Sequence, residues 1–271
     1  MKLITGVVFN CELVPYFIEH YKKLGVTEIL CILNVHENKN IAAQIEKMSY
    51  NTIFKIVKIV NETDSFVLNA NTMEEIKNKF IQQDEWFMVA DLDEFHEYIK
   101  PIPEMISFAE EEKANCVIGH FLDRISSDGS LPSLDYSKTL DEQFPLGCQL
   151  TKNKLRGNNR KLMILKGHNL RIFRGFHYSH NERSSSLNKN IVHHFKWSNI
   201  AKEITSYKNK NYCRQYVASA FNYLFRKKSL SFDNQCDRDC ANIHQKTLKY
   251  IKQNIDLTDP ELNLKIIYKK K

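Results

Sequence analysis

The chain has 271 residues, 39 Lys+Arg against 32 Asp+Glu, and 42% apolar residues that include 16 Phe and 12 Tyr. This is core material for one large α/β domain or two small ones, and it excludes general disorder. With only 8 Gly and 6 Pro, collagen-like and Gly/Pro-rich classes are excluded as well.

Apolar runs reach strand length only, and the first of them meets polar Asn10 and Glu12. No membrane span or signal-peptide core is therefore expected, and the sequence predicts a soluble cytoplasmic protein. Seven cysteines, at 11, 31, 116, 148, 213, 236 and 240, are an odd and scattered set that suits reduced thiols. Charge is strongly divided. Residues 1–150 hold 13 basic and 24 acidic groups, whereas residues 151–271 hold 26 basic and 8 acidic. The basic half suits an anionic partner such as a nucleoside diphosphate, a glycan phosphate, an anionic membrane face or nucleic acid, or else a solvated Lys-rich surface.

In chain order, residues 3–9 read as a buried strand. Residues 12–24 read as a helix with Leu13, Phe17, His20, Tyr21 and Leu24 on one face, stopped by Gly25. Strands follow at 27–33, 52–60 and 85–90, with helices at 40–48 and 66–82 between them. This alternation predicts a doubly wound, mostly parallel sheet flanked by helices, a Rossmann-like α/β arrangement. Beyond it a helix is expected at 101–113, a strand at 115–122, a loop-rich stretch at 126–160, strand pieces within 162–173, and helices at 211–226 and 240–254. The second half is less regular than the first, and the whole reads as one domain.

Ligands of such sheets gather at the carboxyl ends of the strands. Asp91-Leu92-Asp93-Glu94-Phe95 follows the strand at 85–90 directly. On an extended chain Asp91 and Asp93 would point the same way. Two carboxylates so placed, with diphosphate oxygens and water, form the all-oxygen shell that Mg²⁺ or Mn²⁺ prefers. The bland alternative is an acidic surface pair after a strand. Arg156, Arg160, Lys161, Arg171 and Arg174 form the densest basic stretch, either a clamp for a diphosphate or anionic acceptor or a solvated strand face.

Several motifs together carry a resemblance. They are Asn10-x-Glu12, Tyr16-Phe17-Ile18-Glu19-His20-Tyr21-x-x-Leu24-Gly25-Val26, and Trp86 through Phe95 with its D-L-D-E-F block. Asp123-Arg124 with Asp128-Gly129, Arg160-Lys161, Gly175-Phe176-His177 and Ile191-Val192-His193-His194-Phe195 extend it to roughly residue 197. This set resembles the glycosyltransferase family 2-like proteins of the DUF23, family 92 type, which implies a GT-A fold over the whole chain. Residues 1–125 would form the nucleotide-sugar-binding half, 126–235 the acceptor and metal-completing half, and 236–271 a terminal helix and basic tail.

The resemblance implies a metal-dependent glycosyltransferase that moves a sugar from a nucleoside-diphosphate sugar, a UDP-sugar being favoured, to a hydroxyl of a glycan or lipid-linked glycan. Asp91 and Asp93 would hold Mn²⁺ or Mg²⁺, with His193 or His194 as a further ligand. Tandem histidines on a strand face opposite ways, so one at most would serve. Asn10, Glu12, Asn34, Asp91, Arg160 and Lys161 would contact the donor. The second strand departs from the family by ending Asn34-Val35-His36-Glu37, where many relatives carry Asp and Ser. The family resembles inverting enzymes, which need a carboxylate base; Asp123 leads, followed by Glu182, with Asp128 also considered. Glu94 would orient the ligands or cap the turn.

A basic second half also suits peripheral contact with the inner membrane face. The sequence offers two further readings. Cys236, Cys240 and His244 offer three soft ligands at helical spacing but no fourth, so zinc is disfavoured. A non-catalytic nucleic-acid- or nucleotide-binding module could use Phe221, Tyr223 and Phe225 beside Arg226-Lys227-Lys228, but that aromatic spacing suits a core and no nucleic-acid motif is present.

Overall fold

In the computed structural model, residues 1–7, 11–36, 40–50, 52–61, 70–167, 171–172, 174–198 and 254–268 are described. Their elements run in chain order: β1 (Lys2–Val7), α1 (Val14–Lys23), β2 (Glu28–Asn34), α2 (Ile41–Ser49), β3 (Phe54–Val60), α3 (Ala70–Phe80), β4 (Trp86–Val89), β5 (Glu94–Glu97), α4 (Ile102–Glu111) and β6 (Cys116–Ile125). They continue with α5 (Leu140–Gln143), β7 (Leu146–Cys148), β8 (Arg160–Lys166), β9 (Arg171–Ile172), β10 (Ser179–His180), β11 (Asn190–His194) and β12 (Lys265–Ile266). The helices expected at 211–226 and 240–254, the Cys236–Cys240–His244 grouping and the aromatics at 221–225 lie outside the described residues.

The chain divides into two units. The first comprises Met1–Leu122 and Asn159–Phe195, the second Asp123–Asn158 and Lys196–Lys271. In the first, strands run in the order β6-β8-β4-β1-β2-β3. β1 pairs in parallel with β2 and β4, and β2 with β3, while β8 lies antiparallel to β4 and β6. The expected Rossmann-like sheet with a parallel centre is therefore present, and reversal begins beyond β4. Its parallel strands are apolar runs because both faces are covered. Ile4, Leu30, Ile32, Phe87 and Val89 pack with Met73, Ile76, Leu162 and Leu165 in one core.

α1 shows how local sequence sets up the site. Val14, Phe17, Ile18 and Tyr21 are its buried residues. It ends in a Schellman motif: Gly25 takes φ 83°, Val26 N–H donates to the Tyr21 carbonyl at 3.0 Å, and Gly25 N–H to Lys22 at 3.1 Å. The buried face grips the segment after β4. Phe17 and His20 lie edge-on to Phe95, with centroids at 5.8 and 5.2 Å, and the Tyr21 hydroxyl donates to the Glu94 carbonyl at 2.9 Å.

The second unit has its own core of Ile125, Leu146, Cys148, Leu150, Leu155, Trp197, Ile255 and Leu262. Within it β7 pairs antiparallel with the end of β6 and with β12. Lys154 ties residues 254–268 down through Asp259 at 2.5 Å and Glu261 at 2.7 Å. Among the described residues no helix is long and apolar enough to cross a membrane.

Candidate functional site

β1 connects onward to β2 on one side, yet its other neighbour is β4, reached only after β3. That reversal makes the carboxyl ends of β1 and β4 a topological switch point, where open α/β sheets bind ligands. Asp91, Asp93 and Glu94 stand there, directly after β4.

The geometry corrects one expectation. Asp91 to Glu94 is a tight turn, not an extended segment: Glu94 N–H donates to the Asp91 carbonyl at 3.0 Å, and the Glu94 carboxylate accepts from the Asp91 N–H at 3.2 Å. The alternation argument fails because the chain folds back at Leu92, whose buried side chain anchors the turn. Asp91 and Asp93 consequently meet different partners. Asp91 Oδ2 accepts from Lys161 Nζ at 3.0 Å, whereas Asp93 Oδ2 lies 3.6 Å from His194 Nε2. The Phe195 N–H donates to the Asp93 carbonyl at 2.8 Å and locks β11 against the turn.

β11 pairs antiparallel with β5, placing His194 opposite Glu94 and His193 opposite Phe95. The two histidines face apart. His194 stacks on Phe121 with centroids 4.4 Å apart and planes 11° from parallel, while His193 Nε2 sits 2.6 Å from Glu97 Oε2.

Lys161, on β8, is the buried charge at the centre. Its side chain is 1% exposed and its Nζ lies 2.6 Å from Glu94 Oε1, which is itself 2% exposed. Burial works against the ammonium, but Asp91 and Glu94 outweigh it and raise its pKa, so it stays charged. Burial also drives the Glu94 carboxyl up, with Lys161 pulling it down and Asp91 and Asp93 pushing it further up. Behind the turn, His96 is held neutral by burial and by the positive fields of His20 and Lys161.

The other expected residues are spread more widely. Arg160 points to the opposite face of β8, ion-pairs with Glu182 and donates to the His177 carbonyl at 2.5 Å. Glu182 also accepts from Ser184 Oγ at 2.9 Å and Ser179 N at 3.2 Å, so it is a braced partner of Arg160. Asn34 ends β2, buried, with Oδ1 accepting from His36 N–H at 3.1 Å. Glu12 lies in the short turn Cys11–Leu13 that precedes α1, and Asn10 lies outside the described residues.

Asp123, Asp128 and Arg156 belong to the second unit. Asp123 is fully buried and accepts from Thr151 N at 2.7 Å, Thr151 Oγ1 at 2.6 Å and Trp197 Nε1 at 3.0 Å. Asp128 closes a loop with Ser126 and Ser130, whose hydrogen bonds lower its pKa to about 2. The side chains of Arg171 and Arg174 lie outside the described residues.

His177 belongs to the Gly175-Phe176-His177 motif but has no individual role that the sequence alone predicts. Its Nδ1 lies 2.6 Å from the Arg160 carbonyl, which fixes the proton there and leaves the lone pair on Nε2. Burial and then Lys161 lower its pKa to about 4. The signal available was Gly175, whose φ of 73° allows the turn before it.

A divalent ion requires oxygen or imidazole ligands that converge. Among the described residues no three His, Cys, Asp or Glu side chains do so. The arrangement at Asp91 does not fit a metal shell, because Lys161 already engages Asp91 and Glu94.

No protein-family model and no curated protein matches the chain. Similar solved structures include HddC from Yersinia pseudotuberculosis, 14% identical over 62% of this chain and 74% of that one, with a TM-score of 0.31. Another is 4-diphosphocytidyl-2C-methyl-D-erythritol synthase from Anaerococcus prevotii, 12% identical over 61% of this chain and 69% of that one, with a TM-score of 0.30. Likenesses at this level leave the functional argument to the residues of the site.

Proposed function

We propose that the chain is a GT-A-type glycosyltransferase that takes a nucleoside-diphosphate sugar, a UDP-sugar being favoured, and transfers the sugar to a hydroxyl of a glycan or lipid-linked glycan. The observation that carries this reading is the carboxylate turn Asp91–Asp93–Glu94 after β4, beside β1, at the switch point of a parallel sheet. The motif resemblance supports the choice of reaction.

In an inverting transfer the acceptor oxygen attacks the anomeric carbon as the bond to the diphosphate breaks, and a base takes the acceptor proton. The two carboxylates expected as base are both engaged, Glu182 by Arg160, Ser184 and Ser179 N, and Asp123 by Thr151 and Trp197. Asp123 and Glu182 are the two candidates for that base in this reading, and the loss of turnover in Asp123→Asn against Glu182→Gln separates them. The Mn²⁺ or Mg²⁺ that the resemblance implies has no fitting donor set among the described residues, so no step is assigned to it. The excess of basic residues over 151–271 suits an anionic acceptor or headgroup surface, which flotation with anionic vesicles tests.

Thermal shift with UDP, GDP, CMP and their sugar conjugates tests the donor. A ligand that binds the folded state alone raises the melting temperature by mass action. A rise with one nucleotide class supports the reading. No rise with any nucleotide, beside a rise with oligonucleotides, replaces it with a nucleic-acid-binding module.

A further inference from the structure

An ammonium group has three N–H bonds to give. Lys161 Nζ has three oxygens around it: Asp91 Oδ2 at 3.0 Å, Glu94 Oε1 at 2.6 Å and the Gly175 carbonyl at 2.5 Å. The rings of Phe121 and Phe176 lie 5.5 and 5.4 Å from the same nitrogen, adding cation–π attraction in a dry setting. This is a constructed cation site, and the backbone is bent to make it. Gly175 and Phe176 both have positive φ, 73° and 53°, and a bulky residue holds that conformation only where its surroundings enforce it. The bend directs the Gly175 carbonyl at Nζ and brings the Phe176 ring beside it. Gly119 pairs with Lys161 across β6 and β8, and its missing Cβ leaves room for Met163 Sδ and the Asn190 carbonyl.

We infer that Lys161 is the resident cation of this site: its ammonium, held by Asp91, Glu94 and the Gly175 carbonyl, stands in place of a divalent ion, and ligand binding at the turn is metal-independent. A metal arriving at Asp91 would meet a carboxylate already engaged and a fixed positive charge beside it. Displacing the ammonium would take from Glu94, which is buried, the donor on its Oε1. Lys161 acts here as a positioning residue, because all three of its donors are spent inside the protein. The part concerning ligand binding rests on the proposed function; the part concerning the metal does not.

The metal part is read on the wild-type chain alone, by electron paramagnetic resonance of Mn²⁺. The signal of the free aqueous ion should persist undiminished when the protein is added. Loss of that signal, restored by Asp91→Asn, would overturn the inference. For the ligand part, the thermal shift produced by UDP, GDP or CMP is compared in EDTA and in Mn²⁺. Equal shifts support metal independence, whereas a shift seen only with Mn²⁺ overturns it and leaves the transferase reading standing. If no nucleotide shifts the melting temperature, the transferase reading fails and the Mn²⁺ spectrum alone decides whether the site takes a metal. Because Lys161→Met strands a buried carboxyl, Lys161→Met/Glu94→Gln removes one charge of each sign. It should fold yet lose the nucleotide shift in EDTA, and retention of the full shift would count against Lys161.

Discussion

Asp123 and Glu94 are both buried carboxylates, but Asp123 accepts hydrogen bonds from Thr151 and Trp197, whereas Glu94 lies against the ammonium of Lys161. Asp123 takes hydrogen bonds from Thr151 and Trp197 next to the apolar side chains of Ile125, Cys148 and Leu150. Neutral donors of this kind satisfy a carboxylate and hold the framework around it. Glu94 shares a four-residue turn with Asp91 and Asp93 and answers a buried ammonium. The side chains of Asp91 and Asp93 remain 37% and 17% exposed, so the field of this cluster reaches solvent.

Substitutions sharpen this contrast. Lys161→Met should cost the most stability, about 3–5 kcal/mol, because it leaves Glu94 buried without its partner. Urea unfolding measures this, and a cost near that of an ordinary surface change would place the charge balance elsewhere. Asp123→Ala should follow at about 3 kcal/mol, since Trp197 Nε1 and the Thr151 donors lose a buried acceptor. It should leave any nucleotide-induced thermal shift of the remaining folded protein intact. If that shift vanished while the fold survived, Asp123 would regain its claim to a role in the site.

A pH series gives a smaller effect. The pKa of His177 is lowered to about 4 from an ordinary value of 6.5, so the unfolded chain takes up the proton first as pH falls. The contribution is therefore complete above about pH 6.5 and is lost as pH falls towards 4. The urea midpoint of the wild type should drop through that window, and His177→Gln should flatten the drop. Equal slopes in the two proteins would show that His177 is not held neutral. Asp93→Asn should alter stability least, within about 0.5 kcal/mol as expected of a turn residue outside the core. A larger loss in urea unfolding would show that the approach of Asp93 to His194 holds the turn.

Local pattern carried much of this protein. Apolar runs alternating with amphipathic stretches predict β1 through β4 and the helices between them, because burial on both faces of a parallel sheet demands such runs. Gly25 marks the end of α1, since a left-handed residue there costs glycine little. The position of Asp91 after a buried strand was legible for the same reason. What the tertiary structure alone decided is where the charges go. Lys161 meets Asp91 from 70 residues away, His194 turns to Asp93 while His193 turns to Glu97, and Asp123 is buried against Thr151 and Trp197. Periodicity reports which face of an element is buried, but a side chain's partner depends on strand order and register across the whole sheet, which no local window of sequence contains.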